Sequence, residues 1–311
     1  METNHWSTPF VTAVAPIAWG STYIVTEQLL PPDRPLFAAT VRALPVGMVL
    51  LAFRHRLPRG DWWWKALVLG LCNIGMFFPL IFLAAYHLPG GLAATLQATS
   101  PLAVMGIAWL LIGERSGVVR IGAALVGLLG VGLLVFRNPG GMDALGLAGA
   151  FGSVLVSAVG FVLIKRWQAP VDMLTLVSWQ LVVGGLVLLP VGLVVEGAPP
   201  AVDLPAVLGF LWIAGVGTGL AYVCWFRGLR LMSAGAVSII GLVNPVVGTL
   251  LGVAFAHEAF GTVQAIGMVL VLGGVLVGQR FGQRSGQRPG PGSVVPPVPE
   301  DADRVLDRQA A

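Results

Sequence analysis

Ten apolar stretches, each long enough to cross a lipid bilayer, follow one another along this chain. A membrane-spanning helix needs about 20 mostly apolar residues, and only helices and closed barrels satisfy their backbone polar groups within a bilayer. The sequence therefore predicts an all-α integral membrane protein with ten transmembrane helices. The predicted spans are Pro9–Leu30, Pro35–Phe53, Trp62–Ala85, Gly91–Ile112, Val118–Phe136, Leu145–Ile164, Met173–Val195, Leu204–Phe226, Ala234–Ala256 and Thr262–Gly278.

Charged residues make up 10% of the chain and hydrophobic residues 56%. A soluble domain carries about 25% charged residues, so these charges are too few for a water-facing surface, and the chain is expected to lie in the lipid bilayer. The net charge of +4 does not indicate a nucleic-acid partner, because the basic residues cluster in short connectors between apolar stretches. Cys72 and Cys224 both lie within apolar stretches and are predicted to be free, buried thiols.

The positions of the basic residues predict the orientation, because cytoplasmic loops are enriched in Lys and Arg. With the N-terminus in the cytoplasm, 15 of the 18 basic residues fall on the cytoplasmic side. Arg34 and Arg137 fall outside, and Arg42 falls within the membrane. The sequence therefore predicts that both termini are cytoplasmic.

An internal repeat relates the two halves of the chain. Residues 88–117 and 231–261 share a small-residue entry, an apolar run, a proline within the helix and a terminal glutamate. Pro101 and Pro245 lie 144 residues apart, as do Glu114 and Glu258. Since each repeat contains five spans, an odd number, the repeats are predicted to have opposite orientations. Inverted repeats are typical of secondary transporters, which bind solute near the membrane midplane between the repeats.

The repeat predicts three parts of the chain. The first five-helix repeat is residues 1–137, and the second is residues 138–280. Residues 281–311 are polar and rich in proline, a composition that predicts a disordered cytoplasmic tail.

The residues Trp19-Gly20-Ser21, Arg42 and the segment from Pro101 to Gly113-Glu114-Arg115 resemble the drug/metabolite transporter superfamily, specifically its EamA-domain members. The resemblance extends to about Gly278. Within it, residues 42–78 and 84–102 are similar to the PecM-like branch. This resemblance implies a ten-helix permease that exports metabolites, amino-acid derivatives or pigments. The second half departs from the pattern, with Val159-Gly160-Phe161 in place of Trp-Gly-Ser and Ala259 after the glutamate.

Arg42 is the most informative single residue. A charge near the centre of a spanning helix costs roughly 2.5–3.5 kcal/mol on insertion scales. A water-filled cavity, a protein partner or an anionic solute would offset that cost. Arg42 is therefore either a solute-binding residue or an arginine that hydrogen-bonds helix-end carbonyls. Its counterpart in the second half is Gln180, which is polar and neutral.

The other candidates for substrate binding are polar or aromatic residues at mid-span, which would suit a planar solute if they faced a cavity. Each of them is also compatible with ordinary helix packing. With Arg42 and Gln180, the predicted substrate-binding residues are Trp19, Tyr23, Asn73, Gln97, Tyr222 and Asn244.

Three further features concern movement and structure. Pro101 and Pro245 interrupt their helices and are predicted either to act as hinges or to form kinks needed for packing. Glu27, late in the first span, is a weak candidate for ion coupling, and an outer-vestibule residue or a partner for Arg34 is the alternative. Glu114 and Glu258 are predicted to have a structural role rather than a role in transport, because each can meet the N-terminal dipole of the following helix and cap its free N–H groups.

Other classes of function fit less well. The dispersed Asp and His residues form no catalytic cluster and no metal-ligand spacing, so no metal, cofactor or catalytic residue is predicted. A channel would need a ring of charges or a filter motif, and a receptor would not explain a duplicated, inverted body. The resemblance favours export of a small-molecule solute over uptake. The glycines of the fifth and tenth spans are predicted to allow close helix approach and a homodimer.

Overall fold

In the computed structural model, residues 7–88, 90–135, 143–255 and 260–280 are described, and every regular element among them is a helix. Two helices, Ser7–Leu29 and Val118–Val135, occupy the positions of the predicted first and fifth spans. Eight other segments of the described residues are long and apolar enough to cross a membrane: Pro35–Arg54, Trp62–Ala84, Ala94–Ile112, Ala144–Trp167, Met173–Val195, Leu204–Leu231, Ala234–Phe255 and Thr262–Arg280.

Several of these segments are interrupted, so the described helices number fourteen. They are α1 (Ser7–Leu29), α2 (Pro35–Arg54), α3 (Trp62–Gly70), α4 (Phe77–His87), α5 (Gly90–Gln97), α6 (Ser100–Ile112), α7 (Val118–Val135), α8 (Ala144–Trp167), α9 (Met173–Val195), α10 (Leu204–Ala214), α11 (Ala221–Leu231), α12 (Ala234–Ile240), α13 (Val243–Phe255) and α14 (Thr262–Arg280).

Two of the interruptions are π-helical turns. Leu71–Gly75 joins α3 to α4, and Gly215–Leu220 joins α10 to α11. The starts of the two turns lie 144 residues apart, the same offset that relates Pro101 to Pro245. The sequence did not predict these wide turns. In a π-turn the helix is wider than an α-helix. This geometry is rare in proteins, and where it occurs it is often at a functional site.

The other two interruptions replace a predicted kink by a break. The fourth and ninth predicted spans are each two helices, α5–α6 and α12–α13, because proline lacks a backbone N–H and clashes with the preceding turn. Pro101 lies in the first turn of α6, and Pro245 is the third residue of α13. Proline is tolerated there because the first N–H groups of a helix have no intrahelical partner.

The helices of the first half pack mainly on those of the second. The most extensive pairs are α2 with α9, α7 with α14, α4 with α8, and α1 with α11 and α13. Glycines make this possible. A Cβ at Gly185 would lie 2.6 Å from Cβ of Leu44, and one at Gly47 would lie 2.7 Å from the backbone nitrogen of Val182. The two halves therefore form one interleaved bundle.

The glycines of α7 and α14 pack these two helices against each other within the chain. A Cβ at Gly267 would lie 2.6 Å from the carbonyl oxygen of Gly130, and one at Gly130 would lie 2.7 Å from that of Gly267. A Cβ at Gly274 would lie 2.8 Å from the carbonyl oxygen of Ala123. The close approach predicted for these helices is thus between α7 and α14 of one chain.

Along the chain, the connectors between the spans lie alternately at one end of the bundle and at the other. At the end called here the Glu114 end, an ion pair joins Glu114 to Lys165 at 2.6 Å, and another joins Arg54 to Asp172 at 3.0 Å. One carboxylate oxygen of Glu114 binds Lys165, and the other has no hydrogen-bond partner. The prediction that Glu114 caps α7 was therefore wrong, because the side chain pairs with a lysine of α8 instead.

At the opposite end, called the Glu196 end, the Glu196 carboxylate accepts hydrogen bonds from the backbone N–H groups of Leu36, at 2.5 Å, and Phe37, at 2.9 Å. It thereby caps α2, where a negative charge is favourable. Arg34 donates to the carbonyl oxygen of Glu196. Two connectors of the bundle are fixed at this end by these contacts.

We expect Gly267→Ala to reduce the stability of the protein by about 1–3 kcal/mol, because the new methyl group would collide with the backbone of α7. The temperature at which the detergent-solubilised chain loses its monodisperse elution would report the change. Gly273→Ala is the matched control on the same helix, since nothing lies within 4 Å of a Cβ there and alanine favours a helix over glycine by about 1 kcal/mol. Equal melting temperatures for the two variants would contradict the packing of α7 on α14.

Candidate functional site

Arg42 lies buried against the second wide turn, with 9% of the residue exposed. Its Nε donates to the hydroxyl of Thr218 at 2.9 Å, and its Nη2 donates to the carbonyl oxygen of Gly217 at 3.0 Å. The Thr218 hydroxyl in turn donates to the carbonyl oxygen of Ile213 at 2.8 Å. The guanidinium carbon lies 4.9 Å from the centre of the Phe78 ring, a distance at which a cation is attracted to the ring. Arg42 therefore joins α2 to the turn between α10 and α11.

The carbonyl oxygen of Gly217 accepts a second hydrogen bond, from the indole Nε1 of Trp19 at 3.0 Å. The wide turn around it contains Gly215, Gly217 and Gly219. Glycine has a low helix propensity and lets other groups approach the backbone closely. This local composition favours an irregular turn whose backbone oxygen is available to side chains of α1 and α2.

A second junction occupies the equivalent position in the first wide turn. Asn73 donates from Nδ2 to Oε1 of Gln180 at 2.7 Å, and each residue is 1% exposed. The hydroxyl of Tyr222 donates to the backbone oxygen of Asn73 at 3.2 Å. Asn73 and Gly217 lie 144 residues apart, so the two backbone oxygens correspond. Each accepts a hydrogen bond from a side chain of the opposite half.

Gly160 makes room for this second junction. A Cβ at Gly160 would collide with the amide group of Asn73. Gln180 donates its own Nε2 to the carbonyl oxygen of Leu176 at 3.2 Å. Asn73 and Gln180 are thus enclosed by α8 and α9 and bond to each other.

Aromatic rings connect the two junctions. The Trp19 ring lies 5.7 Å from that of Tyr222 and 5.2 Å from that of Trp225, measured between ring centres. Phe161 lies 5.6 Å from Trp225. The indole nitrogen of Trp225 is buried and has no hydrogen-bond partner. The half-buried Trp19 therefore covers two buried rings of α11.

The structure brings together five of the predicted substrate-binding residues. Arg42 and Trp19 meet at Gly217, Trp19 contacts Tyr222, and Tyr222 binds Asn73, which binds Gln180. These contacts form a continuous chain across the interface between the halves.

The remaining candidates lie differently. Gln97 donates to Ser153 at 2.6 Å and so ties α5 to α8. Asn244 is half-buried in α13, where its backbone oxygen would lie 2.8 Å from a Cβ at Gly20. The helix backbone is described at Tyr23 and Glu27, but their side chains lie outside the described part of the structure.

Sequence reasoning missed the residues that receive Arg42. Thr218 and Gly217 were not singled out, although the run from Gly215 to Gly219 places three glycines and a threonine inside an apolar span. That run was the available signal. Phe78 was missed because an aromatic residue in a spanning helix is too common to attract attention.

The arrangement offers a permanent positive charge, amide and hydroxyl groups, and aromatic faces. Among the described residues, no group of three His, Cys, Asp or Glu side chains could hold a metal ion. Groups of this kind hold a solute by hydrogen bonds, charge and stacking.

Comparison with known proteins matches the chain to a family of transporters. The EamA-like transporter family matches residues 6–136 and again residues 144–278. The chain is 39% identical to Protein PecM of Dickeya dadantii (strain 3937) over 267 residues, which cover 85% of this chain and 90% of that protein. It is 30% identical to the uncharacterized inner membrane transporter YedA of Escherichia coli (strain K12), over 84% of this chain and 87% of that protein.

The fold also resembles a solved one. A protein of known crystal structure superposes with a TM-score of 0.76 at 20% sequence identity, covering 90% of this chain and 98% of that chain. At this identity the likeness concerns the fold alone.

We expect Thr218→Val to reduce stability by about 1–3 kcal/mol, since Nε of Arg42 would lose its acceptor in a buried place. Thermal unfolding in detergent would measure the loss. Thr40→Val is the control, because Thr40 is also buried but its hydroxyl bonds locally, to the carbonyl oxygen of Leu36 on the same helix. If the two substitutions cost the same, the bond from Arg42 to Thr218 contributes nothing of its own.

Proposed function

This chain belongs to the EamA-like transporter family, and we propose that it exports small organic metabolites by alternating access around a site at the membrane midplane. It is a multi-pass protein of the cell membrane and a permease of the drug/metabolite transporter superfamily, similar to Protein PecM. The family and the names of its relatives point to a transporter rather than an enzyme. Its solutes cross a lipid bilayer.

The observation that carries the proposal is the position of Arg42. The permanently charged side chain of Arg42 is buried between the two halves, beside the ring of Phe78. A guanidinium stays charged at any physiological pH and matches a carboxylate with two parallel hydrogen bonds. The proposed solute therefore carries an acidic group, which Arg42 binds.

The aromatic residues supply the second part of the recognition. Rings such as Trp19 and Tyr222 bind planar solutes by stacking. A planar metabolite with an acidic group, such as an aromatic amino-acid derivative, combines both features. The proposed substrate-binding residues are Arg42, Trp19, Tyr23, Asn73, Gln97, Gln180, Tyr222 and Asn244.

The proposed architecture is ten spans in two inverted repeats, residues 1–137 and 138–280. The offset shared by the starts of the two wide turns and by Pro101 and Pro245 supports it, as does the double match to the family. On this proposal Pro101 and Pro245 are hinges. Each lies in the first turn of a helix, α6 or α13, that can rotate against the short helix before it. Glu27 is the candidate residue for ion coupling.

The proposed orientation places the Glu114 end in the cytoplasm. The described basic residues concentrate at that end, where Arg54, Lys165 and Arg230 make their contacts. Arg34 lies at the Glu196 end. This distribution agrees with the enrichment of Lys and Arg on the cytoplasmic side.

We expect an impermeant maleimide added to intact cells to label an Ala201→Cys variant but not an Arg59→Cys variant, in a background with both native cysteines replaced by alanine. Ala201 lies in the exposed connector before α10, and Arg59 in the exposed connector before α3. Labelling of both variants after lysis controls for reactivity. The reverse pattern in intact cells would overturn the orientation.

We expect cells that overproduce the protein to accumulate a metabolite outside, and Arg42→Ala to lower that export by roughly 10- to 100-fold, the equivalent of a charged hydrogen bond of about 1.5–3 kcal/mol. Untargeted comparison of metabolites inside and outside the cells would identify the solute. Arg56→Ala, at an exposed arginine, is the control.

Monodisperse elution of the Arg42→Ala variant is required for the comparison to count. Accumulation of the solute inside the cells would replace export by uptake. Unchanged export by a well-folded Arg42→Ala variant would show that this residue does not bind solute.

A further inference from the structure

The two short helices that begin the broken spans are buried to different extents. All seven residues of α12, at the Glu114 end, are buried. In its counterpart α5, at the Glu196 end, residues 94–97 are all half-buried. Over the side chains that the structure describes, α12 is therefore more fully buried than residues 94–97 of α5.

Close contacts on several sides enclose α12. A Cβ at Gly235 would lie 2.8 Å from the hydroxyl of Ser116 and 3.0 Å from Cγ of Met105. Gln279, near the end of α14, donates to the carbonyl oxygen of Ala236 at 2.7 Å. Solute could pass the Glu114 end only if these neighbours separated from α12.

One ion pair ties these neighbours together. Lys165, near the end of α8, binds Glu114, which follows α6, at 2.6 Å. The same ammonium group donates to the carbonyl oxygen of Met232 at 2.9 Å, and Met232 lies in the short segment between α11 and α12. A single lysine thus holds three parts of the chain at this end.

We propose that the Glu114–Lys165 ion pair is a latch that keeps the Glu114 end closed and so favours the conformation seen in this structure. The side chains of Glu114 and Lys165 are 18% and 22% exposed, so water weakens their attraction less than it would on an open surface. Separation of α6 from α8 breaks the pair. The inference rests on the proposed alternating access, but its test needs no solute.

In the sequence of α1, an apolar residue stands at the position that corresponds to Lys165. The correspondence between Gly20 and Gly160 pairs Lys165 with Val25, an apolar residue that packs near Leu30 and Phe210. Valine cannot pair with an acidic group, so the second repeat's Glu258, which lies outside the described residues, has no lysine at the corresponding position. The sequence of α1 therefore offers no counterpart of Lys165, and this ion pair belongs to the Glu114 end.

The test measures how fast a thiol on α12 reacts. Ser238→Cys, with Cys72→Ala and Cys224→Ala, places one thiol on α12, where Ser238 is 5% exposed. In detergent, a charged maleimide should label this parent slowly. Adding Glu114→Gln should raise the rate by about ten-fold or more, because the closed state loses a partly buried ion pair.

Two controls distinguish a latch at the Glu114 end from a loss of packing throughout the bundle. Asp61→Asn removes the other charge pair with a lysine, Asp61–Lys65 at 3.7 Å within the start of α3, and should leave the rate within about two-fold. A thiol on α5, from Leu96→Cys in the same cysteine-free background, should react more slowly when Glu114→Gln is added, since the Glu196 end closes as the other opens. A rise at both positions would make Glu114 a merely structural residue and overturn the proposal.

If Glu114→Gln elutes as an aggregate, Lys165→Gln serves in its place, because Glu114 still lies near the positive charge of Arg120. The exchanged pair Glu114→Lys with Lys165→Glu should restore slow labelling of α12. If loss of either charge left the labelling rate of α12 unchanged, the ion pair would not keep the Glu114 end closed. A failed search for an exported metabolite would leave these labelling results standing.

Discussion

Every backbone polar group in the lipid-embedded part of this protein needs a partner within the protein, because hydrocarbon offers none. Regular helices meet this requirement by themselves, but the wide turns at Leu71–Gly75 and Gly215–Leu220 do not have regular α-helical geometry. Side chains of the opposite half bond to both turns. Tyr222 donates to the backbone oxygen of Asn73, and Trp19 and Arg42 donate to that of Gly217. The irregular backbone and the interface between the halves therefore depend on each other.

The two turns share geometry but differ in chemistry. At the first, the neutral amides of Asn73 and Gln180 bond to each other. At the second, glycine replaces asparagine and an arginine replaces glutamine, so a charged side chain reaches the backbone directly. A pair of equivalent positions has thus become one neutral, closed junction and one charged junction. The charged junction is the candidate for solute recognition because it carries a permanent charge where the equivalent position in the other half is neutral.

Eight of the predicted spans coincide with described segments that are long and apolar enough to cross a membrane, because lipid imposes length and apolarity on each of them. Pro101 and Pro245 also marked the positions of the helix breaks, because a proline disturbs the helix in which it lies. The burial of Arg42 could be predicted because the residue lies within an apolar span. The partners of Arg42 could not be predicted, because Thr218 lies far along the chain and only tertiary packing brings it near. The same limit explains the error at Glu114. Local reasoning considered the N–H groups of α7, whereas the carboxylate pairs with Lys165, 51 residues away.

The bonds of Arg42 suggest how solute binding would affect the protein on the proposed function. Nε and Nη2 are engaged by Thr218 and Gly217, and a solute carboxylate that reached the guanidinium would compete with these acceptors. Displacement would leave the oxygen of Gly217 bonded to Trp19, whose ring also packs on Tyr222 and Trp225. Binding would thereby alter the turn between α10 and α11, and α11 leads directly to Met232, which Lys165 holds. The wide turn and α11 therefore form one helical stretch from the charged junction to Met232. On the proposed function, solute binding at Arg42 would bias the closure of the Glu114 end through this stretch.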